Sequence, residues 1–347
     1  MIDAVDLFCG AGGLTAGMRN AGVTVRAGYD NERQCEFAYH ENNGAAFIAK
    51  NVEDVSVQEI QEWYRPNRLK LLAGCAPCQP FSTYNQGKDT RSDRKWPLLY
   101  AFRRLIDGVK PDLVTMENVP DVTKHEVYHD FVSGLVDLGY HVWADRVLCV
   151  NYGLPQQRRR HVLLASKLGP IRIIEPTHIG KPKTVQEAIG FLPEIAAGEC
   201  DPHDPLHRSA TLTPLNVQRI LHSRPGGTWK DWPRELVAEC HKKPSGKTYP
   251  SVYGRMRGDE PSPTMTTLCY GFGNGRFGHP QQNRAISLRE AAILQSFPPN
   301  YIFMPSNKIT FKAVGRMIGN AVPVRLGEVI GESLIAHANE YIHDIHQ

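Results

Sequence analysis

Across its first 165 residues the chain repeats one pattern: a short apolar run, a turn, then an amphipathic stretch. Residues 2–8, 23–29, 69–73, 113–116, 140–150 and 162–165 read as strands. Between them, 14–21, 32–42, 96–109 and 127–138 carry helical spacing. Ser56 and Glu59 form a capping box that opens a further short helix through Tyr64. Strands separated by helices pair in parallel and must be covered on both faces. The expected class is therefore α/β, a Rossmann-like, mostly parallel sheet.

Near residue 168 the texture changes. Up to 283 prolines, glycines and histidines are dense, and helical spacing is confined to 185–191 and 216–222. This reads as a second, smaller and irregular domain. After it, Ser287 and Glu290 make another capping box before a helix over 290–295. In 324–345, Val324, Leu326, Val329, Ile330, Leu334, Ala338, Tyr341 and Ile345 lie near helical spacing. Three segments result: 1–167, 168–283 and 284–347.

Charge divides along the same lines. Residues 1–150 carry 16 Lys and Arg against 20 Asp and Glu, whereas 151–283 carry 18 against 11. A basic middle beside an acidic first part points to a polyanion held by one lobe, although an ordinary solvated basic surface would look the same. No apolar run is long enough to span a membrane and no leader pattern opens the chain, so a soluble, cytoplasmic protein without a membrane partner is expected. The eight cysteines are scattered through a chain of 347 residues and read as reduced thiols.

Four constellations carry chemistry. Asp6-Leu7-Phe8 runs into Cys9-Gly10-Ala11-Gly12-Gly13 and then a helix, which suits a backbone bent tightly around a cofactor at a strand end. Asp30, ending the next strand, is placed to accept from ribose hydroxyls or to cap a helix. Gly74-Cys75-Ala76-Pro77-Cys78-Gln79-Pro80-Phe81-Ser82 follows a buried strand. Its Cys-x-x-Cys has no second pair to complete a zinc site. A redox pair would normally open a helix, whereas two prolines fix an extended loop. The remaining reading is a single thiolate nucleophile. Glu117 ends a core strand, where a structural carboxylate and a buried general acid are both open. Finally, Gln157-Arg158-Arg159-Arg160 is either a solvated or phosphate-binding run or, if extended, a strand with Arg158 and Arg160 on one face.

Together these stretches resemble the cytosine-5 DNA methyltransferases of the compact bacterial or phage type. The resemblance rests on DLFCGAGG at 6–13, GCAPCQPFS at 74–82, MENVP at 116–120, YGLPQQRRR at 152–160, RAISLREAAILQSFP at 284–298 and GRMIGNAVP at 315–323. It implies that 1–167 is a catalytic domain binding S-adenosylmethionine through Phe8, Gly10, Gly12, Gly13, Leu14 and Pro80. Asp30 would lie at the ribose, Asp54 at the adenine amino group, and Asn320 would help close the pocket. Cys78 would attack carbon 6 of cytosine, Glu117 would bind ring nitrogen 3, and Arg160, with Arg158 beside it, would bind the exocyclic oxygen. Segment 168–283 matches the family's target recognition region, and 284–347 forms its base and returns to the catalytic domain. Three positions depart from the pattern: no glycine precedes Glu53-Asp54, Asp30 stands for the more usual Glu, and Lys95-Trp96 replaces an Arg-Gly pair.

The implied chemistry is coherent. Carbon 5 of cytosine is a poor nucleophile, and thiolate addition at carbon 6 makes it reactive. A stacked base is beyond a cysteine's reach, so the target must flip out of double-stranded DNA. Ser82, Gln86, Lys88 and Arg91 lie on a loop suited to closing over it and clamping phosphate. Gly226, Gly227, Arg255 and Thr266 are the recognition-region candidates for DNA contact. No metal is implied. A monomer on DNA is expected, with a restriction endonuclease of the same system as companion. Two other readings follow from the same resemblance: a transfer RNA methyltransferase, whose branch carries a Cys-Phe-Thr signature absent here, and a catalytically inactive DNA-binding homologue.

Overall fold

A computed structural model describes residues 1–77 and 96–345. Cys78, Pro80, Ser82, Gln86, Lys88 and Arg91 lie outside the described residues. The chain forms two compact units: Met1–Tyr152 with Arg159–Thr177 and Val322–Gln347, and Gly153–Arg158 with His178–Ala321.

The first unit is built on β1 (Ile2–Leu7), β2 (Thr24–Asp30), β3 (Ala46–Ala49), β4 (Leu69–Gly74), β5 (Leu113–Asn118), β6 (His141–Leu148) and β7 (Arg159–Ser166). They form one sheet in the order β3-β2-β1-β4-β5-β7-β6. The first five pair in parallel, and β7 runs antiparallel between β5 and β6. All residues of β1 and β5 are buried, as expected of strands covered on both faces. The helices are α1 (Gly13–Asn20), α2 (Glu36–Asn43), α3 (Val57–Gln61), α4 (Trp96–Val109) and α5 (Glu126–Asp137). In the second unit follow α6 (Val185–Ile189), α7 (Pro214–Leu221), α8 (Glu239–Lys242), α9 (Leu288–Leu294) and α10 (Phe311–Asn320), before α11 (Val324–Ile345) rejoins the first.

Local chemistry accounts for many boundaries. The capping boxes at Ser56/Glu59 and Ser287/Glu290 are both formed, and α3 stops at Gln61 rather than at Tyr64. Helix α5 ends where Gly139 takes φ +82°, with its N–H bonded to Val136 and that of Tyr140 to Leu135, so the last carbonyls are satisfied. Leu99, Phe102, Leu105 and Ile106 of α4 bury against Leu72, Val114 and Met116, and Phe102 meets Phe131 of α5 at 5.3 Å between ring centroids. Burying an aromatic ring of this kind contributes roughly 1.5–3 kcal/mol. Opposite, α11 lies on α1 along a glycine seam. A Cβ at Gly17 would stand 2.2 Å from the Val324 carbonyl, and one at Gly331 would stand 2.7 Å from Ala21 Cβ.

The unit boundaries fall at 177 and 321, where the sequence suggests 167 and 283. Residues 284–321 stay with the second unit because Arg284, fully buried, reaches the Ile195 carbonyl and grips both oxygens of Glu290 at 2.7 Å. Next to them His279 Nδ1 accepts the N–H groups of Gln281 and Gln282 at 3.1 and 2.9 Å, so the neutral ring keeps its proton on Nε2, 3.5 Å from Glu290. Burial, against the opposing pull of Glu290, pushes the His279 pKa down to about 4. An unfolded imidazole titrates near 6.5, so protonation favours the unfolded chain between those values. The contribution is complete above pH ~6.5 and is lost as pH falls toward 4, on the order of 3 kcal/mol in all. Urea midpoints at pH 7.5 and 4.5 check this: wild type is expected to lose about 2–3 kcal/mol more than His279→Asn. Equal losses would show that this ring is not the source.

Candidate active site

In the first unit the chemistry-bearing residues collect where the parallel strands end. β1 runs into the Gly-rich turn, β4 into Cys75-Ala76-Pro77, and β5 ends in Glu117 and Asn118. Because β7 runs antiparallel to β5, its first residues lie on this same edge, which brings Arg160 to Glu117. Arg160 Nε stands 2.8 Å from Glu117 Oε1, with side-chain exposures of 14% and 7%. A carboxyl group and a guanidinium so withdrawn from water interact strongly and are held by their strands rather than by flexible loops.

The turn after β1 is bent by necessity. Phe8 takes φ +58°, a conformation uncommon for a residue with a side chain and a mark of local strain. Gly10 and Gly12 follow at +52° and +89°. A Cβ at Gly10 would meet nothing within 4 Å, whereas one at Gly12 would stand 2.3 Å from Asn43 Nδ2. Gly12 therefore lets the turn close on α2, while Gly10 leaves open space beside the backbone. Helix α1 starts from Gly12 without a side-chain cap, so its first N–H groups favour an anionic ligand. Gly13 and Leu14 are the first, buried residues of that helix.

Asp30 braces this turn. Its two carboxylate oxygens accept the N–H groups of Gly10 and Glu32, each at 2.8 Å. Glu32, half-buried two residues on, is a second carboxylate at this strand end that the sequence reading passed over. Asp54 is exposed at the end of a 3-10 turn over Val52–Asp54. Two further residues were missed. Asp6 is fully buried beneath the turn, where its Oδ2 accepts from Thr15 Oγ1 at 2.7 Å and burial pushes its pKa up to about 7. A carboxylate in a strand that is buried along its whole length was the available signal. Asn118 uses Nδ2 to hold the Ala76 carbonyl at 3.3 Å and Oδ1 to accept from Val119 N–H at 2.8 Å. It thereby ties the end of β5 to the segment that leads toward Cys78.

Two arginines take different places from those expected. Arg158 does not share a face with Arg160, because the strand begins at Arg159 and its predecessor folds back. Its guanidinium is buried and donates to the carbonyls of Met265, Gly319 and Ala321 and to Gln156 Oε1, the work of a strut in the second unit. Arg255, a DNA-contact candidate, is 5% exposed. It donates to the carbonyls of Ile220, Ser223, His279 and Gln282 and to Asn283 Oδ1. Its donors are thus committed inside the protein. Gly226 is exposed with φ +75°, and Gly227 is half-buried beside it. Thr266 is exposed, and its hydroxyl accepts from Leu268 N–H at 3.3 Å. Asn320 is exposed at the end of α10, next to Gly319, where a Cβ would stand 2.3 Å from Thr267 N.

Among solved structures the chain is similar to a candidate DNA modification methyltransferase encoded within an Escherichia coli prophage, with a TM-score of 0.71, 20% identity, and 98% and 100% of the two chains covered. The fold is that of α/β methyltransferases. The chain belongs to the C-5 cytosine-specific DNA methylases, the family whose pattern matches residues 2–336. It is 52% identical to the Type II methylase M.HgiDII of Herpetosiphon aurantiacus, over 96% of this chain and 95% of that one. It is 28% identical to the Type II methyltransferase M1.HphI of Haemophilus parahaemolyticus, over 95% and 86%.

Proposed function

We propose that the protein transfers a methyl group from S-adenosylmethionine to carbon 5 of a cytosine flipped from double-stranded DNA, through a covalent adduct between Cys78 and carbon 6. The observation that carries this reading is the Glu117–Arg160 pair, 2.8 Å apart at the edge where the Gly-rich turn and the Cys75-Ala76-Pro77 segment open. A carboxyl group and a guanidinium fixed side by side match the ring nitrogen 3 and exocyclic oxygen 2 of cytosine. In this reading the Cys78 sulfur bonds to carbon 6 while Glu117, carrying a proton, donates it to ring nitrogen 3 and Arg160 donates to oxygen 2, which offsets the negative charge that develops on the ring. Carbon 5 then takes the methyl group, its proton leaves to a base, and the sulfur–carbon bond breaks to restore the ring.

The turn fits the methyl donor. The uncapped start of α1 suits the donor's carboxylate, the space at Gly10 admits a ligand against the backbone, and Glu32 and Asp54 are acidic partners for its ribose and adenine. Because both Asp30 oxygens hold backbone N–H groups, Asp30 supports the pocket chiefly by shaping the turn, and Glu32 is the better ribose ligand. When bound, the donor supplies an electrophilic methyl group. Phe8, Gly12, Gly13, Leu14, Pro80 and Asn320 complete the proposed set, with Ser82, Gln86, Lys88, Arg91, Gly226, Gly227 and Thr266 toward DNA.

The similarity to Type II enzymes supports a companion restriction endonuclease and a cytoplasmic setting, and action as a monomer on DNA is part of the same proposal. No helix of the described residues is long and apolar enough to cross a membrane. Radiolabelled S-adenosylmethionine offered with duplex DNA or with transfer RNA tests the reading. Label is expected in DNA, at carbon 5 of cytosine. Label only in transfer RNA, or in neither, would overturn it.

A further inference from the structure

From Arg224 to Tyr249 the second unit carries six Lys or Arg and three Asp or Glu. Arg224 pairs with Asp231, and Lys242 with Glu239. Lys230, Arg234 and Lys243 are exposed and make no ion pair among the described residues. The segment is fixed from beneath. His241, 4% exposed, stacks on Trp229 with centroids 4.6 Å apart and planes at 24°, and Tyr253 meets it edge-on at 6.0 Å. Gly246 lies so close to the Cys240 carbonyl that a Cβ there would stand 1.9 Å away.

Tyr249 ends this segment, and its backbone carbonyl accepts from Trp229 Nε1 at 3.0 Å. The residue is 63% exposed. The tie to the fold is thus made by the main chain, which leaves the side chain displayed rather than packed. An amphipathic ring on a backbone already held in place has little conformational freedom left to lose on binding. Lys230, 5.8 Å from the centre of the Trp229 ring, and Lys243 supply cationic groups on the same short stretch. Excess positive charge around one displayed aromatic ring suits a nucleic acid, whose phosphates pair with lysines and whose bases and sugars meet the ring. A protein partner would be met by an apolar centre with charge confined to its rim.

We propose that residues 242–249, held on the Trp229–His241 stack, form an arm that contacts duplex DNA, with Tyr249 against a base or sugar edge and Lys230 and Lys243 on flanking phosphates. The assignment rests on the DNA-methylating reading above and adds a specificity element to it. Bisulfite sequencing of DNA from cells producing the wild-type chain first supplies the target sequence. Methylation rates of the purified full chain are then measured on that duplex and on every single-base-pair variant of it. Tyr249→Ala is expected to lower kcat/KM on the target by roughly 10- to 100-fold, the range of a lost ring–base contact, and to narrow discrimination at one or two adjacent positions. Tyr249→Phe retains most of both. Lys230→Gln with Lys243→Gln is expected to raise KM on all duplexes alike and to flatten the salt dependence by about 2 in log–log slope. The melting temperature of Tyr249→Ala should match wild type, since the ring is exposed. An active Tyr249→Ala enzyme with rate and discrimination within twofold of wild type would overturn the arm. So would a loss of rate that only tracks a fall in melting temperature. A wild-type chain inert on every duplex would overturn the methyltransferase reading beneath it.

Discussion

Cys78→Ser is expected to lower methyl transfer into duplex DNA by roughly four to six orders of magnitude while leaving affinity for S-adenosylmethionine within about twofold. The proposed reaction needs a strong nucleophile at carbon 6, and a serine hydroxyl is far harder to ionise than a thiol at the same position. Glu117, Arg160 and the Gly-rich turn remain in the variant, so the loss reports the sulfur alone. DNA carrying 5-fluorocytosine gives a second readout. Fluorine cannot leave carbon 5 as a proton does, so wild type should form an adduct that survives denaturant and Cys78→Ser should not. A serine variant retaining a tenth of the wild-type rate would overturn the nucleophile assignment.

Arg284→Ala is expected to destabilise the second unit by about 3–5 kcal/mol, the usual result of stripping one partner from a buried ion pair. Arg284 is fully buried, and Glu290 is 1% exposed beneath it. Burial pushes the Glu290 carboxyl up, but Arg284, His279 and the Ser287 N–H outweigh it and hold the pKa below the usual value. That stability is present above the unfolded glutamate pKa and is lost as pH falls through the folded one. Without Arg284 the carboxylate would be stranded. Urea denaturation at pH 7.5 measures the effect, and a loss under about 1 kcal/mol would contradict the pair's role. Replacing both residues together with apolar side chains should cost less than removing Arg284 alone.

The sequence was most legible where a single local rule decides the structure. Helices α4 and α11 fall where amphipathic spacing places them, and the Ser56/Glu59 and Ser287/Glu290 boxes form as written. Strand β3 was missed because Ala46–Ala49 is a four-residue edge strand that carries no alternation of its own. The insertion of β7 between β5 and β6 was equally invisible, since pairing partners are chosen in three dimensions. The largest departures concern arginine. Arg158 is expected beside Arg160 if the run is extended, and Arg255 is expected to meet DNA because arginines of a basic region usually face water. Each is instead surrounded by backbone carbonyls, from irregular chain and from the last turns of α7 and α10, that have no ladder partner. A segment poor in helix and strand needs internal donors, and long basic side chains supply them. Asp30 follows the same logic in reverse: an acidic residue expected to face a ligand satisfies main-chain donors of a strained turn.

The glycine seam between α1 and α11 has a consequence for synthesis on the ribosome. The helix that begins at Gly13 can reach its partner only after residues 324–345 have emerged. Every residue of the second unit is translated earlier, so that unit can fold while the first still lacks α11. A polypeptide stopped before residue 324 would thus hold every residue of the second unit and leave the glycine face of α1 uncovered.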